Sequence, residues 1–398
     1  MPSRPRVPAW LLRWELERHL RRRDGVTLQG HHNENLVVDL SLPLALAAGV
    51  RRGERGKFRT SLRTVEVVPR LWDEAAVVEA VRAYVPEVPR CLAVAGDTAL
   101  YAYAEGAPLA QRAPRGTRVG EPVLSRIATI FGHLSEVPVS ALPELPADWP
   151  ADGDSAGFLR RLADFAEERV HRANRREFGQ LFDDLGIPRR AMDRFLADAR
   201  SLRSRPFGLL HTDLHRDNLI ELGDGGGLSV IDWEIALYGD PLHDLATHLV
   251  RMGYVEEERE RLEGLWRAEM RRRGHGDRLA GMEADLGLYV DFEIGQSVYP
   301  DALRAALALP PDADDTAYAR AAARVHRALR RARAPLRIAA LPSEDAVGEA
   351  LRAWHAGRGR TAPGRTDPGR ARDEEVLNNR ALPVDSRVMT PLPTDVPL

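Results

Sequence analysis

One short stretch of this 398-residue chain limits its fold more than any other. Residues 211–218 have the sequence HTDLHRDN. An apolar run, the turn GDGGG at 223–227 and a second apolar run follow before Asp232-Trp233-Glu234. Two apolar runs joined by a glycine-rich turn predict a pair of antiparallel strands. Because a hairpin brings its two ends together, we predict that Asn218 and Asp232 lie side by side.

These residue types suit phosphoryl transfer, which needs little covalent chemistry from a protein. A carboxylate has to orient the attacking hydroxyl and accept its proton, and hard oxygen ligands have to hold Mg²⁺ against the phosphates. Asp213 and Asn218 share one predicted loop, and Asp232 follows the hairpin. Taken singly, Asp213 and Asn218 could be turn formers, since Asp and Asn favour turns. All three residues in register favour a catalytic site.

The pattern resembles the aminoglycoside phosphotransferase family, whose motifs are H-x-D-x-x-x-x-N, then D-W-E or D-F-E, then G-D-P-x-x-D-L-A. The third motif is present at 239–246 as GDPLHDLA, and the resemblance covers residues 25 to about 330, with 205–250 the specific part. The resemblance implies a protein-kinase-like fold with Asp213 as the catalytic base. It also implies that Asn218 and Asp232 bind Mg²⁺, and that ATP or GTP is the phosphoryl donor.

Other residues of these motifs are expected to be structural. The resemblance implies that His211 supports the catalytic loop and that Asp244 braces it. Asp240 precedes Pro241 and a helical pattern, which predicts a helix N-cap followed by proline at the first helical position. Glu234 stands where protein kinases have the glycine of D-F-G, and no long activation segment follows. We therefore expect no protein substrate.

Lys57 is the only lysine in an arginine-rich chain. It lies in a predicted strand, GKFRTS, ahead of a predicted helix that contains Glu74. The resemblance implies that a strand lysine binds the nucleotide phosphates and pairs with a glutamate of the next helix. Arg59 is the alternative phosphate ligand, because residues two apart on a strand share one face. The segment AYAEG at 102–106 resembles the hinge, where the adenine would bind the carbonyl of Ala102 and the amide of Ala104.

The order of strand-like and helical segments predicts an α+β protein with two lobes. Residues 1–105 contain an N-terminal extension and a small β-rich lobe for the nucleotide, and residues 106–335 form a larger helical lobe for catalysis and the acceptor. Residues 336–398 are predicted to be mostly a disordered tail, because the end of the chain is rich in Pro, Arg, Asp and Thr. The turn GHHNEN at 30–35 is placed to cover the nucleotide but lacks G-x-G-x-x-G.

The composition of the chain limits which partners and compartments are expected. The net charge of −2 favours no nucleic acid. A single cysteine, Cys91, excludes an internal disulfide and favours a reducing compartment. No run of 18 apolar residues and no signal peptide is apparent, so we expect a cytoplasmic protein without a membrane partner.

The acceptor is harder to predict, because substrate specificity has no general sequence code. Asp291, Glu293 and Asp301 lie among aromatic residues in a helical segment, which suits a cationic, hydroxyl-bearing acceptor such as an aminoglycoside-like antibiotic, although a solvated helix face would give the same pattern. One alternative is a metabolic kinase of the choline, sugar or homoserine type. Another is a kinase-like binding protein with weak catalysis, which the intact Asp213, Asn218 and Asp232 argue against.

Overall fold

A computed structural model describes residues 7–22, 24–29, 33–61, 68–223 and 227–360. Residues 361–398 of the predicted tail, the middle of the turn at 223–227 and the first residues of GHHNEN lie outside the described residues. No helix of the described ranges is long and apolar enough to cross a membrane.

The smaller lobe is a five-stranded antiparallel sheet with helices packed against it. The strand order is β1-β2-β3-β5-β4. Its apolar side forms a separate core that includes Leu36, Leu44, Phe58 and Leu100. The elements are α1 (Ala9–Arg22), β1 (Val26–Gln29), β2 (Asn33–Asp39), α2 (Leu42–Ala48), β3 (Arg55–Ser61), α3 (Glu74–Val81), β4 (Cys91–Ala95) and β5 (Thr98–Ala102).

Strand alternation decides what β3 presents to the site. Phe58 is 1% exposed and lies in the core of the smaller lobe. Its neighbours Lys57 and Arg59 therefore point to the opposite side of the sheet, where both line the cleft between the lobes. Helix α3 starts at Asp73, whose side chain accepts hydrogen bonds from the amides of Ala75 and Ala76. This cap fixes Glu74 in the first turn, facing β3.

The larger lobe follows a short connection and is mainly helical. Its small strands form a three-stranded sheet, β6-β8-β9, and a two-stranded pair, β7 with β10. The elements are β6 (Gly106–Pro108), α4 (Leu109–Arg112), α5 (Glu121–Ser135), α6 (Ser155–Phe165), α7 (Ala173–Asp184), α8 (Asp193–Asp198), β7 (Gly208–Leu210), β8 (Leu219–Leu222), β9 (Leu228–Val230), β10 (Leu237–Gly239), α9 (Pro241–Met252), α10 (Glu256–Arg272), α11 (Met282–Leu307), α12 (Asp315–Ala332) and α13 (Glu344–Arg360).

The predicted start of α9 is confirmed. Asp240 is the N-cap and accepts a hydrogen bond from the amide of Leu242 at 3.0 Å, and Pro241 occupies the first turn. The other carboxylate oxygen of Asp240 accepts from Arg205 at 2.6 Å and from Tyr289 at 2.8 Å. Arg205 has no exposed side-chain surface, and it also pairs with Asp285. A buried charge needs such a complete set of partners, so this network fixes α9 against α11.

The boundary predicted for the tail has to move. We predicted that the larger lobe ends at residue 335, but the structure packs α13 against α7 and α12. Val347 and Leu351 are fully buried, and Trp354 stacks on Phe178 with ring centroids 4.9 Å apart. The apolar stripe of this helix is buried in the larger lobe, which therefore extends to at least residue 360.

Candidate active site

The two lobes enclose a cleft of about 930 Å³. Its lining includes most of the side chains singled out from the sequence: Lys57, Glu74, Asp213, Asn218, Asp232 and Glu293. The backbone of Ala102 and Ala104 lies at the connection between the lobes and also faces the cleft. The structure therefore brings together residues that lie more than 200 positions apart in the chain.

The loop that carries Asp213 is held in a strained conformation. Thr212 has a φ of 60°, in the left-handed region that costs free energy for a residue with a side chain. Asp244 on α9 accepts hydrogen bonds from the amides of His211 and Thr212, at 3.0 and 2.7 Å. The Thr212 hydroxyl donates to the carbonyl of Ile235 at 2.5 Å. These bonds fix the backbone immediately before Asp213.

His211 is a neutral structural residue. It is fully buried, and burial lowers its pKa to about 4. Its Nδ1 accepts the amide proton of Asp213 at 3.2 Å, so Nε2 carries the ring proton and donates to the carbonyl of Ile231 at 3.2 Å. His211 thus connects the loop of Asp213 to the residue before Asp232.

The carboxylate of Asp213 has several partners. Its Oδ1 accepts from Arg251, at the end of α9, and lies 3.3 Å from Nε2 of His215. Its Oδ2 accepts from Nδ2 of Asn218 at 3.0 Å. Burial alone would raise the pKa of Asp213, but Arg251 and His215 hold it well below its usual range. The group is therefore an oriented carboxylate near neutral pH.

Asp232 also has an unusual backbone, with a φ of 70°. Its Oδ1 accepts from Arg59 at 2.6 Å, across the cleft from the smaller lobe. The following amide, of Trp233, donates to Glu74 at 3.0 Å. Both contacts connect the loop of Asp232 to the smaller lobe.

Asn218 and Asp232 fit a magnesium ion that is shared with phosphate groups. The amide of Ile231 donates to the carbonyl of Asn218 at 3.0 Å, which closes the hairpin beside both side chains. Nδ2 of Asn218 donates to Asp213, which leaves the amide oxygen as a ligand. The described residues contain no group of three His, Cys, Asp or Glu side chains suited to a metal ion. Mg²⁺ is commonly held by one or two side chains together with substrate phosphates.

The predicted pairing of Lys57 with Glu74 is wrong. Glu74 pairs with Nε of Arg59 at 2.7 Å, and the same guanidinium contacts Asp232 and also Glu234, at 3.2 Å. Burial alone would lower the pKa of Arg59, but Glu74 and Asp232 raise it. Arg59 is opposite the first turn of α3, and the longer, forked guanidinium can contact several carboxylates at once.

Lys57 lies elsewhere in the same cleft. Its ammonium group is 5.9 Å from the ring centroid of Tyr101, and within the described residues it forms no salt bridge. Burial and the nearby Arg59 lower its pKa, and the carboxylates of Glu74 and Asp232 oppose this shift. Lys57 is therefore an amine inside the cleft that forms no salt bridge in the described ranges, whereas Arg59 already pairs with three carboxylates.

The segment 102–104 continues β5 toward the larger lobe. The amide of Tyr103 donates to the carbonyl of Arg55 on β3 at 3.1 Å. The backbone groups of Ala102 and Ala104 point to the opposite side because successive residues alternate. The amide of Ala102 donates to the backbone carbonyl of Arg90, whereas the amide of Ala104 has no backbone acceptor among the described residues. This arrangement suits the adenine contact expected at Ala104.

The two predicted acceptor residues, Asp291 and Glu293, lie on different sides of α11. Asp291 pairs with Arg194 at 2.7 Å on another side of α11 and does not line the cleft. Glu293 does line the cleft, but it is 2% exposed and pairs with Arg251 at 2.8 Å. Residues two apart on a helix point in different directions, which is why both could not face one pocket.

Arg251 was not predicted from the sequence. This residue joins Asp213 to Glu293 and thus fixes the carboxylate that faces the reaction. It lies at the end of a helix in a chain with many arginines, 38 positions after Asp213. Its position at the C-terminal end of α9, where a cation is favoured, is the one signal that could have drawn attention to it.

A two-lobed molecule with these groups in its cleft is a kinase-like phosphotransferase. Residues 50–282 match the sequence model of the phosphotransferase enzyme family, APH. The match covers more than half of the chain, and the protein belongs to this family. It is a phosphotransferase that acts on hydroxyl groups of small molecules, as predicted.

Several solved structures are similar to this chain. An ethanolamine kinase from Plasmodium vivax has a TM-score of 0.51 at 12% identity, over 78% of this chain and 81% of that chain. A choline/ethanolamine kinase family protein from Mesorhizobium loti gives 0.46 at 15% identity, over 83% and 92%. The aminoglycoside phosphotransferase APH(4)-Ia gives 0.46 at 16%, over 82% and 99%. No curated protein sequence matches the chain. The family match and the Plasmodium structure confirm the predicted α+β fold.

Proposed function

We propose that the protein transfers the γ-phosphoryl group of ATP or GTP to a hydroxyl of a small molecule. The observation that supports this proposal is that Asp213, Asn218 and Asp232 line one cleft between the lobes. Asp213 is the base in this proposal, since it is a fixed carboxylate at the bottom of the cleft. Asn218 and Asp232 supply oxygen ligands for Mg²⁺, which would neutralise phosphate charge when bound.

The nucleotide half of the cleft lies under the smaller lobe. We assign the phosphates to Lys57, because its ammonium group has no described carboxylate partner, and the base to the backbone at Ala102 and Ala104. Arg59 has a different role in this proposal. With Glu74 it holds α3 against the loop of Asp232 and so orients that carboxylate.

The earlier expectation of a cationic acceptor has lost its support. It rested on Asp291, Glu293 and Asp301. Asp291 does not line the cleft, whereas Glu293 and Asp301 line it but pair with Arg251 and Arg324. A basic antibiotic and a metabolic acceptor of the choline, sugar or homoserine type therefore stand as acceptors to be tested on equal terms.

The proposed function is tested by following labelled γ-phosphate from ATP and from GTP into a panel of hydroxyl compounds, with and without Mg²⁺. The panel contains amino sugars, neutral sugars, sugar acids, choline and homoserine. We expect Mg²⁺-dependent transfer to at least one member. Tight nucleotide binding without transfer to any compound would instead favour a kinase-like binding protein.

The assignment of Lys57 gives a separate prediction. An amine-reactive nucleotide analogue should label only Lys57 and the N-terminus, because the chain has no other lysine, and excess ATP should protect Lys57. Lys57→Met should weaken nucleotide binding about 10- to 100-fold, the size of a lost hydrogen bond to a charged group. Peptide mapping by mass spectrometry and binding titration measure these effects.

Arg59→Met is the comparison for this experiment. It leaves Glu74, Asp232 and Glu234 without their shared cation, so it should lower the melting temperature, whereas Lys57→Met should not. If ATP does not prevent the labelling of Lys57, the result would indicate that Arg59 contacts the phosphates instead.

A further inference from the structure

The half of the cleft under the larger lobe carries an unusual group of arginines. Arg115 follows α4, Arg251 ends α9, Arg304 lies on α11 and Arg331 on α12, and all four line the cleft. Four separate parts of the fold thus each contribute an arginine to the lining of one cleft. Lys57 and Arg59, by contrast, belong to the smaller lobe.

Carboxylates neutralise only part of this charge. Arg251 pairs with Asp213 and Glu293. Asp301 also lines the cleft, but it pairs with Arg324 at 3.1 Å. Within the described residues, Arg115, Arg304 and Arg331 form no salt bridge with a carboxylate. Arg115 instead donates to the carbonyls of Val250 and Arg251, at 2.9 and 3.3 Å.

Arg115 and Arg331 are exposed, as are other arginines of the larger lobe that form no salt bridge within the described residues, such as Arg320. Arg304 is different, because it is half-buried. Burial lowers its pKa, and the positive charges of Arg251 and Arg324 lower it further, against the opposing effect of Asp301. Much of Arg115 is exposed, but partial burial of its guanidinium group and the positive charge of Arg331 lower its pKa. The positive charges of this group therefore repel one another.

The group is also close to the chemistry. Arg304 lies within electrostatic range of Asp213, whose charge acts on it. Pro300 lies one helical turn earlier and lines the same cleft. Proline has no amide proton, so the carbonyl four residues earlier, of Gln296, lacks its helical donor. A guanidinium group suits a carboxylate or phosphate because it donates two parallel hydrogen bonds.

We propose that Arg115, Arg304 and Arg331 bind an anionic oxyacid group, a carboxylate or a phosphate, on the acceptor molecule, which therefore carries both this group and the hydroxyl that receives phosphate. The inference that the anion belongs to the acceptor rests on the proposed function, but the anion site itself depends only on these arginines. It reverses the charge expected for the acceptor from the sequence.

The first experiment measures anion binding without any transfer. The full chain is saturated with Mg²⁺ and AMP-PNP to fill the nucleotide half, and inorganic phosphate is titrated by calorimetry. We expect binding that weakens about 10-fold or more in Arg304→Gln and in Arg331→Gln, in line with the loss of a charged hydrogen bond. Arg320→Gln is the matched control, because Arg320 is an exposed residue of α12 that does not line the cleft.

The second experiment measures transfer to matched acceptors: glucose with glucuronate and glucosamine, and glycerol with glycerate and glycerol phosphate. A carboxylate or a phosphate member should exceed its neutral counterpart at least 10-fold in kcat/KM, and Arg304→Gln should remove that preference. The two anionic members distinguish which oxyacid is recognised.

The two proposals fail in different ways. Equal phosphate affinity in wild type and Arg304→Gln, or a preference for glucosamine that survives in that variant, would overturn the anion site. Intact phosphate binding with no transfer to any compound would overturn the proposed function and leave the anion site in place.

Discussion

Replacing Asp213 by alanine is expected to lower kcat by a factor of about 100 or more, the usual scale for a general acid–base group. The carboxylate has one oxygen on Arg251 and the other on Asn218, so the substitution removes the group that these two residues hold in place. Nucleotide affinity should change little, because Asp213 faces the acceptor. Steady-state kinetics of phosphate transfer and a nucleotide titration measure both quantities.

Asp217 provides the matched control for this variant. It lies on the same loop and its side chain is 71% exposed. Asp217→Asn should therefore keep kcat within about threefold of wild type, since exposed substitutions have small effects. Near-normal turnover in Asp213→Ala would remove Asp213 from the role of base.

Replacing Asp232 by asparagine is expected to raise the Mg²⁺ concentration for half-maximal activity by about 10-fold or more, because the ion loses a charged ligand. The substitution keeps the shape of the side chain, but it also removes the charge that pairs with Arg59 at 2.6 Å. Activity and nucleotide binding are measured across a magnesium titration.

Glu234→Gln separates the loss of a metal ligand from the loss of the ion pair with Arg59. Glu234 also contacts Arg59, at 3.2 Å, so its substitution disturbs the same ion pairs without altering the predicted ligand. Its magnesium requirement should stay within about twofold of wild type, as expected of a residue that does not touch the ion. Equal curves for Asp232→Asn and wild type would mean that the hairpin does not supply a ligand.

The sequence predicted best those parts of the site whose geometry depends on residues close together in the chain. The loop of Asp213, the hairpin and the cap at Asp240 involve residues close in the chain, and their spacing determines their geometry. The same holds for α3, since its N-cap Asp73 is a local signal. The structure places these elements as predicted.

The charged partners across the cleft were harder to predict. Lys57 and Arg59 share one face of β3, and only the position of α3 decides which of them meets Glu74. On α11, Asp291 and Glu293 are two residues apart, and the tilt of the helix decides which faces the cleft. Such choices depend on tertiary packing, which no local pattern records.

Helix α10 is hard to recognise in the sequence for a related reason. Its sequence, EEERERLEGLWRAEMRR, is dominated by charges, and its buried apolar positions are only Leu262, Trp266 and Met270. That stripe is narrow, but it has helical spacing and packs against α5. An apolar pattern that occupies three positions in five turns is easily hidden by the charges around it.

The docking of α13 has a practical consequence for producing the protein. An expressed fragment that stopped at residue 335 would leave the surfaces of α7 and α12 without the side chains of Val347, Leu351 and Trp354. Each buried aliphatic side chain contributes on the order of 1.5–3 kcal/mol, and an uncovered apolar surface promotes self-association. A fragment that ends after residue 360 retains α13 and therefore keeps these surfaces of α7 and α12 covered.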